Sequence, residues 1–212
     1  SAGAWTKYDS DYLNKSLTDS KLDNVNIYDC TNQWGVFSIA GPNSRNFLKK
    51  IVVSEDPDKT LSNKEFPWLS YRDIEIGMCP VRALRVAYTG ELGWELHHPI
   101  EMQNYLLDLL LSSGEEFDIK LVGARAQNWL RQEKSYKAFG SDLGRDAGPF
   151  ESNLNRFVDL NKEFLGKKAL LNRKIEVSCV TLLIDGPDDM DPWGREALYN
   201  ESQNMIFGRL TS

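Results

Sequence analysis

The chain has 212 residues, of which 41% are hydrophobic, and this is enough to build one large domain or two small ones around a proper core. Its formal net charge of -6 argues against the basic face that a nucleic-acid-binding or membrane-surface protein needs. The longest apolar run, at residues 105–111, contains Asp108 and is far shorter than the about 20 residues that cross a bilayer.

The three cysteines, Cys30, Cys79 and Cys179, lie far apart, and an odd number fits no disulfide framework. We therefore predict reduced thiols in a cytoplasmic protein, or a mitochondrial-matrix protein if the source is eukaryotic. The chain begins with Ser1 and shows neither a basic n-region nor an apolar h-region, so we expect no secretory signal. We expect it to be an excised piece of a longer protein.

The first half of the chain predicts a strand, a helix and a hairpin in that order. Residues 1–30 are polar and weakly patterned, which is typical of an arm or the tail of an upstream domain. An apolar run at 35–41 predicts a strand, and a proline opens the helix that we predict at 42–52. Alternating apolar residues over 71–90 predict two strands joined by a tight turn at residues 77–80.

Helical spacing returns at residues 102–114, where the final glycine is typical of a helix C-terminus. A short strand through Ile119 and Leu121 would complete the order β-α-β-β-α-β, and another helix is predicted at 124–134. This order predicts an α+β fold with a ferredoxin-like split βαβ sheet that carries helices on one face.

The last part of the chain changes in composition. Gly, Asp, Pro and Asn predominate after Lys134, and three β-rich runs follow at residues 177–184, 195–200 and 205–212. Three strands with open edges are not stable alone, so we predict the start of a small β-barrel, with the chain truncated at both ends. The predicted division is an arm at 1–30, an α+β domain at 31–172 and an incomplete barrel at 173–212.

Several common sites are excluded by their missing motifs. No G-x-G-x-x-G, G-x-S-x-G or H-E-x-x-H occurs, and a phosphate loop ending at Gly166 would need glycine where Asn161 stands. His97 and His98 are neighbours on a predicted strand and so point to opposite faces, which prevents them from binding one metal ion together. We predict no metal site and expect both histidines at the surface or at an interface.

The stretch AYTGELGWEL places Glu95 in a half-buried strand, where a lone carboxylate needs a partner. One partner is a nearby cation such as Arg85 or Arg131. The other is a ligand with two adjacent N–H donors, such as the edge of a pterin, because a carboxylate accepts two parallel hydrogen bonds. Tyr88 and Trp94 could supply flat apolar walls for such a ring.

Four blocks of sequence, in the same order, resemble the folate-binding T-protein family of aminomethyltransferases: IAGPNSRNFLKKI, YTGELGWEL, GARAQNWLRQEKSYKAFGSDL and FLGKKAL. The stretches SYKAFGSDL and DGPDDMDPWGREALYN are most similar to the branch that forms the C-terminal folate domain of dimethylglycine and sarcosine dehydrogenases. Asn153 stands where relatives usually carry glycine, and asparagine tolerates the same left-handed backbone.

The resemblance implies a set of folate-binding residues. Glu95 would grip the pterin ring, Tyr88 would line the same pocket, and Arg131 would meet the other polar end of the folate or its glutamate tail. The alternative for Arg131 is an ion pair on the surface of its helix. The resemblance places no catalytic residue in this chain, since the family's catalytic Asp is expected upstream of Ser1.

The function implied by the resemblance is one-carbon transfer to tetrahydrofolate, forming 5,10-methylenetetrahydrofolate in a flavin-dependent dimethylglycine or sarcosine dehydrogenase-like enzyme. Its partners would be folate, a small N-methylated amine and a missing upstream domain that holds FAD. We expect the fragment alone to be inactive. The alternatives are a stand-alone aminomethyltransferase or folate-dependent demethylase, and a non-catalytic regulatory or interaction protein.

Overall fold

The computed structural model describes residues 5–144, 147–187, 190 and 192–211. The chain forms two compact units: unit 1 consists of Ser1–Ala87 and Glu91–Lys120, and unit 2 of Tyr88–Gly90 and Leu121–Ser212. The boundaries that we predict near residues 30 and 172 stay predictions. Within the described ranges, no helix is both long enough and apolar enough to cross a membrane.

Unit 1 contains a four-stranded sheet with helices, which confirms the predicted α+β class. Its helices are α1 (Thr6–Ser20), α2 (Ser44–Ile51), α3 (Pro57–Thr60) and α4 (Gln103–Gly114), with short 3-10 helices at Thr31–Gln33, Ile100–Met102 and Glu115–Phe117. Its strands are β1 (Trp34–Ala40), β2 (Tyr71–Ile76), β3 (Cys79–Leu84) and β4 (Gly93–Pro99). Helix α1 lies in the predicted arm, and none of its residues is buried.

The sheet is built so that one face is covered and the other is open. Its strands follow the order β1-β4-β3-β2, and every neighbouring pair is antiparallel. Ile39 pairs with Trp94, and both side chains point into the core beneath α2 and α4. Ser38 and Leu84 lie opposite Glu95 on the two adjacent strands, so these three side chains share the other face.

Helix α2 begins two residues after the predicted start and packs on the sheet through one apolar face. Its buried residues recur at intervals of three and four: Ser44, Phe47, Leu48 and Ile51. The hydroxyl of Ser44 lies 2.9 Å from the carbonyl oxygen of Leu92, in the segment that leads into β4. The first turn of α2 therefore helps to position the strand that carries Glu95.

The predicted turn between β2 and β3 is confirmed and is narrower than expected. Ile76 pairs with Cys79, which leaves Gly77 and Met78 as the turn. Gly77 has a φ of +56°, the left-handed conformation that glycine adopts without strain at the first position of such turns. The amide of Met78 donates to the hydroxyl of Tyr105 at 3.0 Å, so α4 holds the turn in place.

The predicted strand through Ile119 and Leu121 is wrong. Asp118 has a left-handed φ of +53°, and the amide of Ile119 donates to the carbonyl of Gly114 at 3.2 Å, so the segment closes the end of α4. The fourth strand is β4, which precedes α4 and lies between β1 and β3. The sequence of elements thus differs from the β-α-β-β-α-β order that we predict for a ferredoxin-like sheet.

Unit 2 has less regular structure. Its elements are α5 (Ala124–Glu133), a 3-10 helix at Asn155–Phe157, α6 (Lys167–Asn172), β5 (Ala197–Asn200) and β6 (Met205–Arg209). Strands β5 and β6 form an antiparallel pair, as two of the three β-rich runs predict. The strand predicted at residues 177–184 is wrong, because its backbone bonds to loop groups: the amide of Cys179 donates to the carbonyl of Glu151 at 2.7 Å.

Candidate functional site

Glu95 lies on the open face of the sheet in unit 1. Its side chain is 35% exposed, so it does not carry the full cost of a buried lone carboxylate. One carboxylate oxygen, Oε2, lies 3.3 Å from Nε2 of His97, two residues along the same strand. A carboxylate has about four lone-pair positions, so Glu95 keeps the capacity to accept two parallel N–H groups of a ligand. Its chemistry therefore fits a pterin edge.

Arg85, one of the two cations that could have paired with Glu95, is engaged elsewhere. Its Nη1 donates to the carbonyl of Phe66 at 2.6 Å, and its guanidinium lies 5.9 Å from the centre of the Trp94 ring. Trp94 points into the core, whereas Glu95 is on the opposite face. Arg85 is thus held on the core side of β4.

Backbone geometry explains the two glycines of the AYTGELGWEL motif. Gly90 has a φ of +72°, where residues with a side chain are strained. At Gly93, a Cβ atom would lie 2.6 Å from the carbonyl oxygen of Ile39, so glycine lets β4 approach β1 closely. Backbone geometry explains these two residues, but it makes no comparable demand for a carboxylate at Glu95.

Trp94 is fully buried in the core of unit 1. Its ring meets that of Phe66 edge to face, with 6.2 Å between centroids, and the guanidinium of Arg45 lies 5.8 Å from its centre. Packing alone explains why a large aromatic residue occupies this position. The role of Trp94 as a wall of the ligand pocket stays a prediction.

Tyr88 belongs to unit 2. Its hydroxyl donates to the carbonyl of Lys137 at 3.2 Å, and its ring stacks on that of Tyr136 with 6.5 Å between centroids. Burial raises the pKa of the Tyr88 phenol; nearby Arg131 lowers this pKa and Asp142 raises it. The phenol therefore stays protonated and acts as a hydrogen-bond donor.

Arg131 is buried in unit 2, where its guanidinium is surrounded by acceptors. It forms an ion pair with Asp142, and the two side chains are only 3% and 5% exposed. Nη1 also donates to the carbonyl of Tyr136 at 2.8 Å, and Nη2 donates to Oδ1 of Asn128 at 2.7 Å. The ion pair that we considered as the alternative exists, but it is buried and not on the helix surface. The contact of Arg131 with folate stays a prediction.

A second carboxylate, Glu151, is buried in the same unit. It pairs with Arg173 and accepts the backbone amide of Gly148 at 2.9 Å. A hydrogen bond from its own backbone amide is the main cause that lowers the pKa of Glu151, and Arg173 lowers it further. The nearby Asn153 has a φ of +58°, which confirms that asparagine keeps the left-handed turn at this position.

Unit 2 also contains a cavity of about 890 Å³ that is partly open to solvent. Its wall includes the charged side chains of Arg131, Asp142 and Glu151 and the apolar residues of the segment 177–184. This volume lies within the range of small-molecule sites. Sequence reasoning missed the cavity, because its wall is assembled from segments far apart in the chain.

The histidines are placed differently from each other. The surface or interface location predicted for His98 is wrong, because His98 is fully buried within the chain. Its ring stacks on Phe37 at 4.9 Å, and Nδ1 lies 2.9 Å from the carbonyl oxygen of Leu96. His97 is half-buried on the open face, so the two rings point apart as predicted. The alternation of Trp94, Leu96 and His98 was the signal that could have identified the burial of His98. In the part of the chain that the structure describes, no three metal-binding side chains come together.

The chain is similar in sequence to several known proteins. It is 39% identical over 195 residues to mouse (Mus musculus) mitochondrial dimethylglycine dehydrogenase, covering 89% of this chain and 21% of that protein. It is 28% identical to mouse mitochondrial sarcosine dehydrogenase, with coverage of 95% and 22%. An aminomethyltransferase of Natranaerobius thermophilus is 30% identical, with coverage of 74% and 42%. The chain thus spans about a fifth of the two dehydrogenases.

Among solved structures, the chain matches the heterotetrameric sarcosine oxidase from Corynebacterium sp. U-96 with 19% sequence identity and a TM-score of 0.41. The match covers 51% of this chain and 52% of the chain in that structure. The family described as the GCVT N-terminal domain matches residues 1–162, which is most of the chain. The chain therefore belongs to this family, the folate-binding T-protein family of aminomethyltransferases that its four sequence blocks resemble.

Proposed function

We propose that the chain is the folate-binding part of a dimethylglycine or sarcosine dehydrogenase-like enzyme and that it forms 5,10-methylenetetrahydrofolate. A flavin domain outside the chain would oxidise a small N-methylated amine to an iminium, and tetrahydrofolate held by this chain would accept the one-carbon unit. Holding the accepting nitrogen near the electrophile is a proximity effect. The enzyme would work in the cytoplasm, or in the mitochondrial matrix of a eukaryote.

The observation that carries the proposal is the position of Glu95. Its carboxylate is on the open face of the sheet, is partly exposed and keeps acceptor positions beyond its contact with His97. Family membership and the similarity to dimethylglycine dehydrogenases support folate as the ligand. Glu95 would bind the pterin edge, with Tyr88 and Arg131 as further ligands. When bound, the folate supplies the nitrogen that accepts the one-carbon unit.

Folate binding can be tested by titrating folinic acid and following tryptophan fluorescence. We expect Glu95→Ala in the intact protein to weaken binding by about 2 to 5 kcal/mol, because one side of a desolvated, charged hydrogen-bond pair is removed. Glu95→Gln separates charge from shape, since it keeps the side-chain volume and loses the second strong acceptor. Both variants should bind more weakly than the wild type.

Glu91→Gln is the matched control, because Glu91 is the other glutamate of the same motif and is exposed. It should bind folinic acid as the wild type does. Unchanged affinity in Glu95→Ala would reject the assignment of the pocket. We also propose that the chain without its flavin partner does not turn over an N-methylated amine, which an assay for 5,10-methylenetetrahydrofolate can test.

A further inference from the structure

Unit 2 contains a contact between two nucleophilic side chains that folate binding does not use. Nζ of Lys137 donates to Sγ of Cys179 at 3.2 Å, and both residues are half-buried. The two residues are 42 positions apart in sequence, so tertiary structure alone brings them together. Both also line the cavity of about 890 Å³, so a small molecule in the cavity can reach the amine and the thiol together.

The backbone on both sides of the contact is held in place. The amide of Cys179 donates to the carbonyl of Glu151 at 2.7 Å, and the carbonyl of Cys179 accepts Nδ2 of Asn153 at 2.6 Å. On the other side, the carbonyl of Lys137 accepts the Tyr88 hydroxyl at 3.2 Å. The backbone of Cys179 is therefore held in place, while the long side chain of Lys137 can adjust.

We propose that Lys137 and Cys179 form a covalent site for formaldehyde, which they hold as a methylene bridge between Nζ and Sγ. The pair offers what a one-carbon aldehyde needs, namely a sulfur nucleophile, a proton donor and a second nucleophile within reach of the same carbon. The choice of formaldehyde rests on the proposed function, since hydrolysis of an N-methylene iminium releases it. The reactivity of the pair does not depend on folate binding.

The reaction balances without an oxidant. The Cys179 thiolate attacks the carbonyl carbon and the Lys137 ammonium protonates the oxygen, which leaves an S–CH2–OH group and a neutral amine. The amine then bonds to the same carbon, the C–O bond breaks, and water leaves with the oxygen. The product is Lys–NH–CH2–S–Cys. One carbon atom joined to both groups spans slightly less than 3.2 Å, and the four-carbon stem of Lys137 supplies the small movement.

The test treats the purified chain with limiting formaldehyde and measures intact mass, followed by digestion and peptide mapping. We expect a gain equal to the mass of one carbon atom and a cross-linked pair of peptides that contain residues 137 and 179. Proximity should make thiol loss at Cys179 at least about tenfold faster than at Cys30, which is exposed. This internal comparison uses the wild-type protein and needs no variant.

Two variants test whether Nζ of Lys137 and Sγ of Cys179 form the bridge. Cys179→Ser and Lys137→Arg should both abolish the cross-linked peptides, because a hydroxyl or a guanidinium is the poorer nucleophile. The control Cys30→Ser should form the bridge at the wild-type rate, and circular dichroism checks that each variant is folded. Equal rates of thiol loss at Cys179 and Cys30, or the same one-carbon gain in Lys137→Arg, would overturn the proposal. Folinic acid binding, measured separately on the same protein, tells such a failure apart from a failure of the proposed function.

Discussion

The two units bury different kinds of side chain. Among the described residues, every buried hydrophobic residue belongs to unit 1, where α2 and α4 close over the sheet. Unit 2 buries charged groups instead, including Arg131, Asp142 and Glu151. Apolar burial is non-directional and tolerates many partners, whereas a buried charge needs a specific partner. Unit 1 should therefore respond to lost volume, and unit 2 to the loss of a single charge.

The largest loss of stability is expected from a substitution that creates a cavity in unit 1. Phe66 is fully buried and packs against Trp94, so Phe66→Ala should lower the free energy of unfolding by about 3 to 5 kcal/mol. Phe157→Ala is the control in unit 2, because Phe157 is 69% exposed. Chemical denaturation measures both variants. Equal effects would contradict the view that apolar packing is concentrated in unit 1.

A comparable effect is expected in unit 2 from a change of charge. Asp142→Ala leaves the buried guanidinium of Arg131 without its carboxylate, which should cost about 3 to 5 kcal/mol. Replacing both residues together, as in Arg131→Met with Asp142→Leu, should restore most of the loss, because no unpaired charge remains. Amide hydrogen exchange of residues 124–144 can report the local stability. A double variant as unstable as Asp142→Ala would contradict the view that the unpaired charge causes the loss.

A smaller effect is expected where two strands of unit 1 approach closely. In Gly93→Ala, the new methyl group would meet the carbonyl oxygen of Ile39 at 2.6 Å, and backbone adjustment should cost about 1 to 3 kcal/mol. The thermal unfolding midpoint measures this loss. Gly144→Ala is the control, since a Cβ at Gly144 meets nothing within 4 Å. If both variants unfold at the same temperature, the close approach of β1 and β4 is not a constraint.

The smallest expected effect is a pH dependence of the stability that Glu151 contributes in unit 2. The pKa of Glu151 is lowered from its ordinary value of 4.5, so its ionised form is favoured by folding. The resulting stability is present above pH 4.5 and is lost as the pH falls through the lowered pKa of the folded state. The difference in unfolding midpoint between the wild type and Glu151→Gln should therefore be constant near neutral pH and shrink in acid. A difference that persists in strong acid would contradict this assignment.

Sequence patterns predicted the elements that depend on local spacing. The run at residues 35–41 gives β1, the helix predicted at 42–52 is α2, and the helices predicted at 102–114 and 124–134 are α4 and α5. Sequence patterns predicted strands wrongly where strand formation depends on a neighbouring strand to pair with. Ile119 closes the end of α4, and the run at 177–184 bonds to loops, although both have β-rich composition.

The candidate site was predicted unevenly for the same reason. Strand alternation predicted that His97 and His98 point apart, and the motif singled out Glu95 as an unusual strand carboxylate. The ion pair of Arg131 with Asp142, 11 positions later, was not predictable, because it depends on the path of an irregular loop. The contact between Lys137 and Cys179 was not predictable, because it joins segments 42 positions apart.

By itself, the sequence determined the α+β class, the family and the presence of an unusual carboxylate, Glu95, in a strand. These follow from local periodicity and from the order of the motifs. Tertiary structure alone decided that this carboxylate lies on the open face of the sheet, that Trp94 belongs to the core, and that Asp142 holds Arg131. The physical reason is that side-chain exposure and charge pairing depend on how loops run and how segments pack together in three dimensions, and a linear pattern does not contain that information.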